Sequence, residues 1–288
     1  MKQAMVVLRV SLFALGFMLV NIGVEVSTGG QVTSTFTVSA FIGGVLMAVI
    51  LAWIRSKTRL TKFGVISVFW FTLFVIQMFN NLLEALFFTN VFPSTKEFVE
   101  AIYVSMLTVL VEAFMAGVLF TSKKADLSLS SALHGYFDRR SRFSWSWRIT
   151  AASLAYFPIY LFFGMLASPF IISYYMEPSL GLKLPPFTVI VPLEFLRGFL
   201  YVISLLPILA SINRDRKIQY TTIASLLYVA GALIPLILES SLPPAIVPVS
   251  LRRAASRFSG IWLNSRPPAR LRKASKLRFE EYLHMSSS

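Results

Sequence analysis

The chain predicts an all-α, polytopic transmembrane helix bundle with its N-terminus in the cytoplasm, and three observations carry that expectation. Seven apolar windows are each long enough to cross about 30 Å of hydrocarbon as a helix. Hydrophobic residues make up 56% of the 288 and charged residues only 14%, a balance of the membrane class. Lysine and arginine gather in every second connection between the windows, as the positive-inside rule requires. Those basic blocks are Lys2 and Arg9; Arg55, Lys57, Arg59 and Lys62; Lys123, Lys124, Arg139, Arg140, Arg142 and Arg148; and Arg214, Arg216 and Lys217. The intervening connections carry only Lys96 and Lys183, so they are assigned to the outer side.

The first window, 5–24, follows a basic opening like that of a signal peptide. No small-x-small cleavage pattern follows in NIGVEVSTGGQ, so it reads as an uncleaved span. Windows 36–54, 63–83 and 98–121 complete a first transmembrane half, 1–121. Their outer connections, STGGQVTST and FFTNVFPSTKEF, are short and hold turn residues. The loop 122–148 is cytoplasmic. It ends in DRRSRFSWSWR, where arginines beside Phe143, Trp145 and Trp147 describe a segment at the level of anionic lipid headgroups, or an ordinary aromatic belt before a span. Windows 149–173, 187–212 and 218–238 form a second half, 149–240, joined on the outside by SYYMEPSLGLKLPP.

Parity then expects an eighth span, and it is defective or missing. A normal helix start at Pro243 is followed by Arg252, Arg253 and Arg257, each costing about 2.5 to 3.5 kcal/mol at a helix centre. Left outside, Arg252 to Arg278 would place nine basic residues on the wrong face. For this basic tail, 241–288, three accounts compete: a basic surface helix, a disordered tail, or an out-of-frame reading whose DNA encodes an apolar helix in another frame after about codon 248.

Cysteine is absent and histidine is limited to His134 and His284, which excludes disulfides, a cysteine nucleophile and a thiolate or histidine-rich metal site; no metal and no cofactor are expected. The formal charge of +14 is explained by topology and lipid headgroups, so nucleic acid is not the expected partner.

Ionisable residues inside spans are costly and mark functional sites by default. Glu112 lies past the midpoint of the fourth span. Glu194 and Arg197 lie three apart on one face of the sixth, with Arg197 roughly 15 Å from the outer start near Phe187. Glu84 is nearer the outer end of the third span, with Gln77, Asn80 and Asn81 on the turns below it. Arg197 needs a carboxylate. Glu194 is the local partner, and Glu112 the expected partner from another helix. These six residues (Glu84, Asn80, Asn81, Glu112, Glu194 and Arg197) are the candidate binding residues; none is assigned a catalytic role. Prolines 158, 169, 192, 207 and 235 all fall in the second half, where broken helices could frame a site. Small pairs, Ala40 with Gly44 and Gly164 with Ser168, predict close helix packing.

The run WRITAASLAYFPIYLFFGMLASPFIISYY, followed by LPPFTVIVPLEFLRGFLYVISLLPIL, resembles a group of uncharacterised multi-pass bacterial membrane proteins. The likeness covers roughly 145–245. It implies a plasma-membrane protein with a further C-terminal span and brings no activity or ligand; the sequence departs from the pattern after Pro248.

Three functions are compatible with these residues. A transporter or permease-like carrier would use Glu112, Glu194 and Arg197 at the midplane for a small solute or ion. A scaffold or regulatory protein would use them only to hold helices together. An intramembrane enzyme would use the carboxylates as acid and base, but no intramembrane histidine, Gly-x-Ser-x-Gly elbow or His-Glu-x-x-His motif supports it.

Overall fold

A helix satisfies its backbone N–H and C=O groups within one segment, the arrangement that suits stretches as apolar as these. The fold is a computed structural model that describes residues 2–28, 30–120, 125–175, 181–212 and 216–238. The tail 241–288, with its three competing accounts, lies outside the described residues. Among those residues every regular element is helical.

In chain order the helices are α1 (Lys2–Ser27), α2 (Ser34–Lys57), α3 (Lys62–Phe88), α4 (Thr95–Leu119), α5 (Leu129–Phe137), α6 (Arg142–Tyr175) and α7 (Phe187–Ser211). The last, α8, comprises Arg216–Leu226, Leu227–Leu233 and Ile234–Leu238. Side-chain caps start several of them. Thr33 Oγ1 accepts from Phe36 N at 3.1 Å, Thr61 Oγ1 from Gly64 N at 3.3 Å, and Ser94 Oγ from Glu97 N at 3.3 Å.

Six helices among the described residues are long and apolar enough to cross a membrane: Gln3–Ser27, Ser34–Lys57, Lys62–Phe88, Thr95–Leu119, Arg142–Leu166 and Phe187–Ser211. The seventh expected window is helical in α8 but does not stand among these six. Its polar opening, KIQYTT, leaves an apolar stretch from Ile223 to Leu238 that covers only about 24 Å.

α1 and α2 form an antiparallel pair, and α4 packs against α1 and α3. α8 lies on α2 and α3, while α7 touches α3 and packs along α6. One apolar core gathers Phe13, Phe17, Met47, Leu51, Phe69, Ile76, Ile208 and Leu226 from five of these helices. A smaller one around Leu83, Phe88, Ile190 and Leu193 joins α3 to α7. α6 keeps Ile159, Phe162, Phe163 and Leu166 more than half exposed, the surface that a lipid-facing helix presents.

Of the two small-residue pairs, only the first packs closely. A Cβ on Gly44 would lie 2.8 Å from Ala14 Cα, and Ala40 is fully buried; a Cβ on Gly164 would meet nothing within 4 Å among the described residues. The close approach in the second half is instead at Gly198 of α7. A Cβ there would lie 2.5 Å from Ser153 O and 2.7 Å from Tyr156 Cβ, both on α6.

Arg55, read from sequence as one member of a basic block in a connection, is buried at the end of α2. Its guanidinium donates to Phe120 O at 3.3 Å and to Leu60 O at 2.8 Å, tying the ends of α2 and α4 to the start of α3. Backbone carbonyls at a helix C-terminus carry partial negative charge, which suits a buried cation. Beside it, exposed Arg59 pairs with Asp126, and Thr61 N donates to Leu127 O at 3.0 Å.

Candidate functional site

α3 is not a regular helix throughout. Phe74–Phe79 is a π-helical turn, with Asn80 N bonded to Val75 O across five residues. A π turn inserts one extra residue and so rotates everything beyond it by about one helical step. The side chains after it bond back into the turn: Asn80 Nδ2 donates to Val75 O at 3.1 Å and Asn81 Nδ2 to Gln77 O at 3.0 Å. Glu84, one turn further on, thereby faces α7.

On α7, Glu194 and Arg197 share a face because they are three residues apart. Arg197 Nη1 donates to Glu194 Oε1 at 2.9 Å and to Oε2 at 3.0 Å; Nη2 donates to Glu84 Oε2 at 2.8 Å. Exposure is 4% for Arg197, 0% for Glu194 and 7% for Glu84, so the three charges are withdrawn from solvent together. Tyr156 and Tyr160 of α6 place their ring centroids 5.8 and 5.6 Å from the guanidinium carbon, within cation–π range. Tyr201 of α7 packs on Tyr156 with centroids 5.3 Å apart.

The cross-helix partner of Arg197 is thus Glu84, not Glu112, and depth is the reason. Side chains on a helix lean toward its N-terminus, which on α7 means toward Phe187 and the end of α3 where Glu84 sits. Glu112 lies 17 residues along α4 from Thr95, about 26 Å from that end, and is fully buried at a different level. Asn80 and Asn81 are spent on the π turn of their own helix and do not reach Arg197.

Gln77 stands inside the π turn with 1% exposure, and neither Nε2 nor Oε1 has a hydrogen-bond partner among the described residues. Asn80 Oδ1 and Arg197 Nε are likewise buried without a partner there. Such orphaned groups cost about 1 to 3 kcal/mol each, and in native structures they call for water, an ion or a ligand. α8 also carries a π turn, Leu227–Leu233, and the two turns touch: a Cβ on Gly231 would lie 3.4 Å from Ile76.

Among the described residues no group of three His, Cys, Asp or Glu side chains could hold a metal. Sequence reasoning did not single out Tyr156, Tyr160 or Tyr201. The four-residue spacing of the first two was the legible sign that both face one neighbour. The π turn had no comparable signal in FVIQMF. No protein-family model, no curated protein and no solved structure matches the chain.

Proposed function

We propose that the protein is a multi-pass carrier of the plasma membrane that takes a small solute or ion at the polar centre between α3 and α7. The observation that carries this reading is Gln77, a buried amide with both polar atoms free, held in a π turn on the helix that supplies Glu84 to Arg197. π turns recur at functional sites because they expose backbone and side-chain groups a regular helix would hide. Resemblance to a bacterial membrane group supports the location and adds no activity.

The chain has no cysteine, so single cysteines report without background. Gln77→Cys is expected to react with a small hydrophilic thiol reagent added from one side of sealed vesicles, whereas Leu107→Cys, 62% exposed on the apolar surface of α4, stays unlabelled. Failure of Gln77→Cys to react from either side sinks the carrier reading.

A scaffold is the second reading. It is favoured by the three charge-assisted bonds that Arg197 makes through its two terminal nitrogens to carboxylates on both helices, as a structural lock between α3 and α7 would require.

Topology follows the basic blocks: a cytoplasmic N-terminus, α8 as a seventh span, and α5 with the start of α6 lying on anionic headgroups. Phe143 and Trp147 are 84% and 65% exposed there, and Arg139 stacks on Tyr136 at 5.5 Å. Ser56→Cys and Ser130→Cys are expected to resist an impermeant thiol reagent in intact cells, and Thr33→Cys to react. The reverse pattern overturns the orientation.

A further inference from the structure

Resting on the carrier reading, we propose that Gly181–Lys183 is a gate over the polar centre, a strap that closes the Phe88 end of α3 and lifts to admit the solute. The strap runs antiparallel to the residues that follow α3, with Leu182 opposite Thr89. Lys183 N donates to Phe88 O and Asn90 N donates to Gly181 O, both at 2.9 Å. Among the described residues the backbone of Gly181–Pro185 makes no other hydrogen bond. Leu182 packs on the small apolar group of Leu83 and Phe88 from α3 and Ile190 and Leu193 from α7, whereas Lys183 is exposed and Leu184 is 71% exposed. That group stands between the strap and the charges. Leu83 and Leu193 directly precede Glu84 and Glu194, and Phe88 is one turn beyond Glu84, about 6 Å along the helix. Tyr160 packs against the same group and lies 5.6 Å from the guanidinium carbon of Arg197.

The two ends of α3 are closed unequally. At its start, Arg55 donates to Phe120 O and Leu60 O, Arg59 pairs with Asp126, Thr61 N donates to Leu127 O, and the backbone N–H groups of Asp126 and Leu127 both donate to Arg59 O. At its other end the strap is held by two backbone bonds and one leucine. Two net backbone hydrogen bonds favour a closed state over an open one by roughly 5- to 150-fold, so the strap is shut most of the time and still opens without a large driving force. Its first residue suits a hinge. Gly181 has a φ of 62°, and glycine passes between left- and right-handed backbone at no steric cost. Lifting the strap uncovers Leu83, Phe88, Ile190 and Leu193 and leaves only these side chains above the Arg197 cluster, with Gln77 about two turns further down α3.

The test uses the full-length chain, which has no cysteine of its own, in sealed vesicles of known orientation. A Cβ on Gly181 would lie 3.9 Å from Asn90 Cβ, inside the roughly 3.5 to 4.5 Å that a disulfide spans. Asn90→Cys with Gly181→Cys, added to Gln77→Cys, therefore locks the strap on oxidation, and peptide mass confirms the bond. With a hydrophilic thiol reagent on the strap side, Gln77→Cys is expected to react at least about tenfold more slowly in the oxidised form than after reduction, because the lock removes the open state. Equal rates in the two forms overturn the gate, as does reaction from the opposite side alone. In both cases Gln77→Cys is still reached, and the carrier reading stands. A cysteine at 181 has to adopt a left-handed φ, so a second arm decides the matter should the pair fail to fold or to join. Leu182→Ala in the Gln77→Cys protein is expected to speed the reaction roughly fivefold, because it removes most of the side chain that holds the strap to the apolar group, and an unchanged rate overturns the gate. No reaction from either side, with the strap locked, free or weakened, defeats the carrier reading and the gate with it.

Discussion

Arg197→Leu is expected to reduce the yield of monodisperse protein extracted from membranes and to lower its thermal midpoint more than any other single change at the site. The substitution removes three charge-assisted hydrogen bonds and leaves Glu84 and Glu194 buried without their cation. Stranding a buried charge costs about 3 to 5 kcal/mol in soluble hosts, with smaller values for polar contacts measured in lipid. Adding Glu84→Gln and Glu194→Gln to Arg197→Leu removes the stranded charges and is expected to recover part of the loss. Adding Glu112→Gln instead is expected to recover none, because Glu112 is not a partner of Arg197. A parent-like midpoint for Arg197→Leu would falsify the structural role of the triad, and rescue by Glu112→Gln would move the partner to α4.

Gly198→Val carries the second largest expected effect. A side chain at this position has no space, since its first atom would lie 2.5 Å from a backbone carbonyl of α6. Forcing atoms into a packed contact costs about 1 to 3 kcal/mol, and here the strain is relieved only by pushing α6 away from α7. Tyr156 would move with it and leave the face of Arg197, so the damage reaches the site as well as the fold. Gly164→Val on the same α6 is the control, and it is expected to change the midpoint by less than about 0.5 kcal/mol equivalent, because a Cβ there would meet no atom of the described residues within 4 Å. Equal effects at the two glycines would show that α6 does not depend on close contact with α7. The measurement is thermal unfolding followed by tryptophan fluorescence in nanodiscs, for which Trp145 and Trp147 at the start of α6 are suitable reporters.

The two readings of function differ in what they ask of the same residues. A lock needs Arg197 bonded to carboxylates on two helices, and it is. A carrier needs polar groups left unsatisfied, and Gln77 and Asn80 Oδ1 meet that need one or two helical turns from Glu84. The coexistence of a paired cation and unsatisfied amides on one pair of helices is what the labelling experiment resolves. Contact between the π turns of α3 and α8 places the irregular backbone of both halves at one point of the bundle.

The amino-acid sequence by itself determined that the chain is helical and apolar enough to span a membrane several times, because length and hydropathy act locally and need no partner. It also determined that Glu194 faces Arg197, since residues three apart on a helix meet whatever surrounds them. The choice of Glu84 over Glu112 was not legible. It depends on the relative depth of three helices, on an arginine that leans toward the N-terminus of α7, and on a π turn that rotates Glu84 into place. The burial of Arg55 was hidden for a related reason: a basic residue at a helix end reads as exposed until the carbonyls of Phe120 and Leu60 are seen to close over it. Gly198 and Gly164 were indistinguishable as small residues, and only the approach of α6 made one indispensable and left the other open. Local physics fixed the helices and their faces; the depth at which they meet was decided by packing between segments far apart in the chain.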